Sequence, residues 1–323
     1  MHIEQEKILQ SNVTILLPVR NGQKYVGQSI SNLKSVARAN DEILIVEDGS
    51  IDASAKLLLE QARTDPRIRI INGKGKGLVH GLNLGIRESV NELIARADID
   101  DLYSLDRIPK QLGLLASDVG AVFSDYKFQS ANGIFLGTIP GAVTPTATSL
   151  SLYSGQRTAH PSVLYKKSAV ITAGGYLEHE FPVEDLGLWI RLAQISSLVT
   201  CPETLLQYTI AKGSVSHLKK HSMIKVKHQL LMQHRLSSDE LNEFANGFQE
   251  LLKIYDESKL STSRKILIYR DLRLATQFGM KHELLEEITQ KLRGQLLFDL
   301  GAIKSLSNLA VTKSLRGLYR GLL

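Results

Sequence analysis

Val13-Thr-Ile-Leu-Leu-Pro-Val19 is an almost uninterrupted apolar run, and it decides the fold class. Continuous hydrophobicity over this length predicts a β-strand buried on both faces, as the strands of parallel sheets are. Asn21-Gly22 ends the run, and apolar residues at helical spacing follow from Tyr25 to Val36. A buried strand followed by an amphipathic helix is the first unit of an alternating α/β domain.

The same alternation continues through the first two thirds of the chain. Further strand-like runs lie at Glu42–Val46, Arg67–Ile71, Glu92–Ala97 and Val119–Phe123. Helical patterns separate them: one that Asp52 is expected to cap, one at 77–89 with a face of glycines, and one from Ser104 to about Ala116. This spacing predicts an α/β fold with a Rossmann-like, mostly parallel central sheet flanked by helices.

The later part of the chain predicts a change of organisation. Gly, Pro, Thr and Ser dominate from about Phe128 to Ser154, which indicates hairpins and a mobile loop, and His160–Tyr165 resembles a strand. After about Ser214 the pattern is helical to the end of the chain. We therefore predict an α/β domain over residues 1–215 and a C-terminal helical region over 216–323.

Composition and charge indicate the cellular compartment and the kind of partner that the protein binds. The 323 residues contain one cysteine, Cys201, so an internal disulfide is excluded and a reducing compartment is favoured. The polar, partly acidic start does not resemble a signal peptide, and no apolar run reaches the length of a membrane span. We expect a cytoplasmic protein. Its net charge of +6 favours anionic partners, such as nucleotides, nucleic acid or a membrane surface.

Three polar clusters follow predicted strands, at Arg20-Asn21, Glu47–Ser50 and Asp98–Asp101. Ligands of open α/β sheets bind beyond the carboxyl ends of the strands, where these clusters are expected to meet. Three carboxylates as close as those of Asp98-x-Asp100-Asp101 repel one another unless a cation lies among them. A divalent cation there is able to bridge to substrate phosphates, which suits a nucleotide diphosphate. The alternative is an acidic turn that caps the next helix.

Six motifs in this order resemble those of family 2 glycosyltransferases, which have the GT-A fold. The resemblance covers roughly residues 12–210, and the motifs are Val13–Asn21, Ile45–Asp52, Gly81–Gly85, Ala95–Asp101, His160-Pro-Ser162 and Glu184–Arg191. It implies a nucleotide diphosphate sugar as donor, for which we expect the UDP type, and inversion at the anomeric carbon.

The resemblance assigns the main roles to four aspartates. Asp48 matches the position that contacts the nucleobase or ribose, with a turn-forming aspartate as the alternative. Asp98 and Asp100 match the D-x-D metal motif for Mn²⁺ or Mg²⁺. Asp100 is the preferred ligand, and Asp98 is able to reach the ribose or donor sugar instead. Asp185 matches the general base, which takes the proton from the acceptor hydroxyl.

Supporting roles are assigned by position along the same motifs. Pro18 and Arg20 are expected to bind the donor, and Asn83 is expected to bind the donor or to orient the acidic loop. Arg20 and Asn83 are also compatible with a solvated arginine and a plain helix-face asparagine. Glu184 and His160 are expected near the acceptor, with a structural histidine as the alternative for His160. Asp101 is expected to hold its own loop through backbone N–H groups.

Two features weaken a simple assignment. Lys74 and Lys76 suggest a phosphate loop but fit neither common phosphate-binding pattern, so a flexible turn is the competing interpretation. Many relatives carry Tyr-Arg-x-His after the base helix, where the histidine is able to complete the metal site. Here Tyr208-Thr-Ile-Ala211 has alanine at that position. This departure puts strict metal dependence in doubt, unless water or His217 completes the site.

Basic segments in the C-terminal third suggest a surface for anions. Lys212–Arg235 and Gly301–Leu323 hold lysines and arginines but no acidic residue. They predict either peripheral contact with anionic lipid at the inner face of the membrane or a solvated basic face. The chain lacks the Gln-x-x-Arg-Trp motif of processive synthases, which favours transfer of a single sugar to a glycan or lipid-linked acceptor of a bacterial-type cell envelope.

Two other functions remain compatible with the sequence. A nucleotidyltransferase that makes a nucleotide sugar also uses an α/β sheet and paired carboxylates, but Leu17–Gly22 is a poor nucleotide loop. A non-enzymatic basic protein that binds nucleic acid is disfavoured, because few aromatic residues lie near the basic runs and no recognised reading module is present. We therefore do not expect nucleic acid as a partner.

Overall fold

The computed structural model describes residues 2–139, 141–142, 145–154, 158–210 and 218–234. Its strands are β1 (Val13–Val19), β2 (Glu42–Glu47), β3 (Ile68–Asn72), β4 (Leu93–Arg96), β5 (Leu102–Tyr103), β6 (Val119–Ser130), β7 (Phe135–Ile139), β8 (Leu164–Lys166) and β9 (Ser197–Ile210). The helices are α1 (His2–Gln10), α2 (Val26–Val36), α3 (Ser54–Ala62), α4 (Leu78–Glu88), α5 (Arg107–Leu112), α6 (Pro145–Ser154), α7 (Lys167–Thr172), α8 (Glu184–Ala193) and α9 (Lys220–Gln233).

The strands form one nine-stranded sheet in the order β3-β2-β1-β4-β8-β6-β9-β5, with β7 paired to β6. The first four strands are parallel, and β1 lies between β2 and β4, with Leu16 opposite both Leu44 and Arg96. Six of the seven β1 residues are buried. The prediction that this run forms a strand buried on both faces is therefore confirmed. The carboxyl ends of β1, β2 and β4 lie at the same edge of the sheet.

The other half of the sheet is mixed. Strand β8 runs antiparallel to both β4 and β6, whereas β6 and β9 are parallel with shifts in register. The strand predicted at His160–Tyr165 begins later. His160–Ser162 forms a 3₁₀ turn in which the Ser162 N–H donates to the Ala159 carbonyl, and Pro161 has no N–H for a sheet ladder.

Two predicted helices begin at later residues than expected. The helix expected from Ser104 begins at Arg107, because Leu102-Tyr103 pairs with β9 as a short strand. The helix that Asp52 was expected to cap begins at Ser54, and Asp52 Oδ1 accepts from the Ser54 N–H at 2.9 Å. The carboxylate therefore serves the first turn from just outside the helix.

Helix α4 packs against β1 through its glycine face, as its sequence predicts. A Cβ on Gly85 would lie 2.2 Å from Leu16 Cδ1, and one on Gly81 would lie 3.5 Å from Val46 Cγ1. Gly77 precedes the helix with a φ of +96°, a conformation that favours glycine. The approach of α4 places the loop before it against the end of β2.

The chain divides into two units, one of residues 1–152 with 156–235 and the other of 153–155 with 236–323. The sheet lies in the first unit. The boundary predicted at residue 215, and most of the C-terminal helical region predicted over 216–323, lie outside the described residues and stay predictions. Among the helices described, none has the length and hydropathy that a bilayer span requires.

Candidate active site

Asp48 lies just after β2 and is fixed by the loop that precedes α4. Its Oδ2 accepts from the Gly77 N–H at 2.9 Å, and its own N–H donates to the Val19 carbonyl. Asp48 is 4% exposed, and its Oδ1 has no hydrogen-bond partner among the residues that the structure describes. One oxygen therefore fixes the side chain while the other is left to accept from a ligand.

Pro18 and Arg20 lie at the end of β1 beside Asp48. Pro18 is half-buried opposite Val46, and the Arg20 side chain is 55% exposed with Nη1 at 3.9 Å from Asp48 Oδ2. Asn21 Oδ1 accepts from the Ile51 N–H, which connects the end of β1 to the loop that follows β2. Arg20 is thus placed at the rim of the site, where it is free to swing toward an anion.

The acidic loop follows β4. Ligand oxygens of Asp98, Asp100 and Asp101 all lie within 4.8 Å of one another, a spacing compatible with one divalent ion. Asp101 is almost fully buried, and its Oδ1 accepts from the Thr209 backbone N–H at 2.7 Å. Asp101 therefore ties the loop to β9, which agrees with the supporting role expected for it.

The protonation behaviour of the loop reflects burial first and the crowding of like charges second. Burial, together with the charge of Asp98, raises the pKa of Asp100 to about 6. Burial and the charges of Asp98 and Asp100 raise the pKa of Asp101 well above its usual value. A bound divalent cation would remove this cost by favouring the ionised carboxylates, so the residues present fit such an ion.

Arg96, the last residue of β4, is a site residue that the sequence reasoning missed. Its side chain is 3% exposed, and Nη1 forms an ion pair with Asp98 Oδ2. The guanidinium stabilises the charged form of Asp100, Asp101 and Glu184. The signal was present in the sequence, because an arginine inside an apolar strand must find a counter-ion when it is buried.

Asn83 holds the Gly174-Gly175-Tyr176 turn from helix α4. Its Nδ2 donates to the Tyr176 carbonyl at 2.8 Å, and its Oδ1 accepts from the Tyr176 N–H at 3.0 Å. Both functions of the amide are used in this way. The geometry therefore favours a positioning role over the donor contact predicted for Asn83.

His160 belongs to a buried aromatic cluster. Its Nε2 lies 2.8 Å from Tyr176 Oη, and its ring packs against the rings of Tyr176 and Trp189. Burial, with a contribution from the Arg96 charge, lowers the pKa of His160 well below its usual value, so the ring is neutral at physiological pH. These contacts favour the structural alternative to the acceptor-binding role.

Glu184 and Asp185 open helix α8, where the helix dipole favours negative charge. Asp185 is half-buried, and its Oδ1 accepts from the Leu186 N–H at 2.8 Å. Glu184 is 5% exposed, and burial with the neighbouring charge of Asp185 raises the pKa of Glu184 to about 7. Asp98 adds to this shift, which shows that the acidic loop and the start of α8 lie within electrostatic reach of each other.

A buried ion pair fixes the segment before α8. Arg191 Nε donates to the Ala173 carbonyl at 2.9 Å, its Nη2 donates to the Gly175 carbonyl at 2.6 Å, and its Nη1 pairs with Glu180. Gly187 leaves room for this pair, because a Cβ there would lie 2.2 Å from the Glu180 carboxyl carbon. The helix that presents Asp185 is thereby attached to the turn that Asn83 holds.

Two sequence predictions remain, one for the lysines before helix α4 and one for the completion of the metal site. Lys74 and Lys76 are exposed, and Lys74 has a φ of +61° in a turn closed by Asn72 Oδ1. This arrangement fits the interpretation as a flexible turn. Ala211 and His217, which bear on completion of the metal site, lie outside the described residues.

Comparison with known proteins identifies the domain. Residues 14–142 match the family model described as "Glycosyl transferase family 2". The chain carries a glycosyltransferase family 2 domain. This confirms the family and the enzyme class that the six motifs predict for the domain.

The glycosyltransferase domain has curated relatives of low identity. It is 24% identical over 188 residues to an Escherichia coli enzyme named UDP-Gal:alpha-D-GlcNAc-diphosphoundecaprenol beta-1,3-galactosyltransferase, with 56% of this chain and 66% of that protein covered. The match to another curated glycosyltransferase covers only 34% of that relative. The chain thus spans between one third and two thirds of the length of these two relatives.

Solved structures confirm the GT-A fold of the glycosyltransferase domain. Staphylococcus aureus TarS in complex with UDP-GlcNAc superposes with a TM-score of 0.58 at 13% identity, covering 88% of this chain and 92% of that one. A mannosyltransferase from Pyrobaculum calidifontis in complex with GDP-Man and Mn²⁺ gives a TM-score of 0.50 at 16% identity, covering 96% and 94%. At this identity the likeness establishes the fold alone.

Proposed function

We propose that this chain is an inverting glycosyltransferase that moves one sugar from a UDP-type nucleotide sugar to a hydroxyl of a glycan or lipid-linked acceptor. The observation that supports the proposal is that three functional groups follow β2, follow β4 and open α8, with Asp98 and Glu184 within electrostatic reach of each other. Asp48 has an open oxygen, the acidic loop offers a cation site, and Asp185 lies at the start of α8. These groups correspond to nucleoside, diphosphate and acceptor.

The nucleoside end is assigned to Asp48. A carboxylate with one oxygen fixed by Gly77 and the other unpaired is suited to accept from a ring N–H or a ribose hydroxyl. Arg20 at the rim adds a mobile positive charge for the diphosphate. TarS with UDP-GlcNAc and the galactosyltransferase named for UDP-Gal support a UDP-type donor.

The diphosphate end is assigned to Mn²⁺ or Mg²⁺ held at the acidic loop, with Asp100 as the principal ligand and Asp98 as either a second ligand or a contact to the ribose or donor sugar. When bound, such an ion neutralises the diphosphate and stabilises the charge of the leaving group. Asp101 positions the loop through Thr209. The mannosyltransferase solved with GDP-Man and Mn²⁺ supports the use of a divalent ion.

The transfer step is assigned to Asp185. Its carboxylate takes the proton from the acceptor hydroxyl while that oxygen attacks the anomeric carbon from the face opposite the diphosphate. The bond from the anomeric carbon to the diphosphate oxygen breaks, and the nucleoside diphosphate leaves with the electron pair. Glu184 is assigned a supporting role near the acceptor, because it is only 5% exposed and so less accessible to an acceptor hydroxyl than the half-buried Asp185.

Acceptor and location follow from weaker observations. The Escherichia coli relative is named for a diphosphoundecaprenol-linked acceptor, which supports a lipid carrier here. Helix α9 bears Lys220, Lys225 and Lys227 with no acidic residue and is largely exposed, as expected of a segment near anionic headgroups. We place the enzyme in the cytoplasm, peripheral to the inner face of the membrane.

A hydrolysis assay with a panel of nucleotide sugars tests the proposal. Slow release of nucleoside diphosphate from at least one UDP-sugar, stimulated by Mn²⁺, is expected of the wild-type protein. If the protein neither binds nor hydrolyses any of the UDP-, GDP- and dTDP-sugars, the proposal is wrong.

The role of Asp185 requires a separate comparison. Asp185→Asn should lower turnover by a factor of about 10²–10⁴ while donor affinity stays near the wild-type value, because the base acts on the acceptor. Asp106→Asn is the matched control, since Asp106 is exposed and only a distant pair with Lys110 would be lost. Full activity of Asp185→Asn would remove Asp185 as the base.

A further inference from the structure

Arg96 is a buried cation at the centre of the site to which the proposed chemistry gives no role. Its side chain is 3% exposed, and its Nε is buried with no hydrogen-bond partner among the described residues. Removing a guanidinium from water is costly unless its partners repay the lost hydration. A single ion pair to Asp98 leaves that hydration only partly replaced. The placement of Arg96 therefore calls for a functional reason.

Asp98 is held through its backbone as well as through its side chain. The Asp98 N–H donates to Tyr103 Oη at 2.8 Å, and the Tyr103 ring lies 4.5 Å from the Arg107 guanidinium. Arg107 in turn donates to the carbonyls of Arg96 and Val163 at 2.8 and 2.9 Å. Tyr103 and Arg107 are themselves buried. Asp98 therefore cannot move away from Arg96 without breaking these contacts.

The three carboxylates of the loop are therefore not equivalent as ligands. Asp98 Oδ2 faces Arg96, and Asp101 Oδ1 accepts from the Thr209 N–H. Within the described chain no ion pair engages the Asp100 carboxylate, and the charges that act on it are those of Asp98 and Arg96. A cation near Asp98 Oδ2 would be repelled by the guanidinium, whereas one near Asp100 would lie farther from it.

We propose that Arg96 is a positioning residue that reserves Asp98 for the hydroxyl groups of the donor nucleotide and leaves the metal ion to Asp100. This inference rests on the proposed function. Asp98 is 29% exposed, so its second oxygen reaches the open site and is suited to accept from a hydroxyl. In the rival arrangement Arg96 orients Asp98 as a metal ligand, which is the common role of a group that contacts a ligating carboxylate.

The two arrangements predict opposite effects on metal affinity. In our account, Arg96→Met removes a cation beside the site, so Mn²⁺ without nucleotide binds at least as tightly as to the wild type. UDP and UDP-GlcNAc, titrated in saturating Mn²⁺, should bind about 10-fold to 100-fold more weakly, because Asp98 loses its fixed orientation as a charged acceptor. Arg96→Lys keeps the charge but not the planar pairing geometry, so Mn²⁺ affinity should be unchanged and nucleotide affinity reduced.

Electron paramagnetic resonance of free Mn²⁺ and calorimetric titration of the two nucleotides supply these readouts. A loss of Mn²⁺ affinity by tenfold or more in Arg96→Met would overturn the proposal in favour of the rival arrangement. Unchanged affinity for both nucleotides in the two Arg96 variants would overturn it as well.

A double-mutant cycle covers the case in which Arg96→Met fails to fold. In an Asp98→Asn background, Arg96→Lys should cost no further nucleotide affinity, because the two residues act through one pair. Additive losses would show that Arg96 acts independently of Asp98 and would contradict the proposal. If wild-type protein binds neither nucleotide, the proposed function fails, and that failure is visible before any variant is made.

Discussion

Arg191→Met should uncouple helix α8 from the turn that precedes it. The substitution removes the donors to Ala173 and Gly175 and leaves the Glu180 carboxylate, 3% exposed, without its counter-ion. Breaking one partner out of a buried pair costs about 3–5 kcal/mol. For a domain of this size that loss lowers the midpoint of thermal unfolding by roughly 10 °C.

The same change should reduce catalysis, because Asp185 opens the helix that Arg191 anchors. A misplacement of about 1 Å at a reacting group costs about 10²-fold in rate, so turnover should fall by that order while nucleotide affinity changes little. Differential scanning calorimetry and the donor assay measure the two effects on the same preparations.

Two control variants separate the ion pair from a general effect of losing an arginine. Arg191→Lys keeps the charge and should fall between the wild type and Arg191→Met. Arg63→Met alters an exposed arginine just after α3 and should change the free energy of unfolding by less than about 0.5 kcal/mol. Wild-type stability and turnover in Arg191→Met would show that the pair with Glu180 does not anchor helix α8.

Three further predictions concern pH, packing and the nucleoside. Because Glu184 has a folded pKa of about 7 against an ordinary 4.5, the folded state holds an extra proton between these values and loses stability as pH rises through them. Glu184→Gln should remove this slope, so its free energy of unfolding should exceed that of the wild type by about 3 kcal/mol at about pH 8. If the free energy of unfolding depends on pH in the same way in both proteins, Glu184 is not buried as described. Gly85→Ala should destabilise by about 1–3 kcal/mol because its Cβ meets Leu16, whereas Gly27→Ala, with open space on α2, should stabilise by about 0.5–1 kcal/mol; chemical denaturation of both tests this packing. Asp48→Ala should weaken UDP binding by about tenfold or more in calorimetry with Mn²⁺ affinity unchanged, and equal UDP affinity would exclude Asp48 from the nucleoside site.

The strands and the site edge were predictable because their signals are local. The apolar run at Val13–Val19 and the acidic loop after β4 each lie within ten residues, and the fold class then places the strand ends together. The expectation for Asp101 was also local, since a buried carboxylate next to a turn seeks backbone N–H groups.

The contacts that the sequence does not specify depend on partners far along the chain. Asn83 contacts Tyr176, 93 residues away, and the Thr209 N–H that pairs with Asp101 comes from 108 residues away. No periodicity or spacing specifies such pairs. Arg96 is an intermediate case, because its burial was implied by the strand around it, whereas its contact with Asp98 required the turn geometry.

The proposed function requires that the acidic loop bind a divalent ion that in turn holds the diphosphate of a nucleotide donor. Calorimetric titration of UDP into wild-type protein and Asp100→Asn, each with Mn²⁺ and with chelator, tests it most directly. We predict that Mn²⁺ strengthens UDP binding to the wild type by at least tenfold and has no effect on Asp100→Asn. Equal enhancement by Mn²⁺ in both proteins, or UDP binding to neither, would contradict the account.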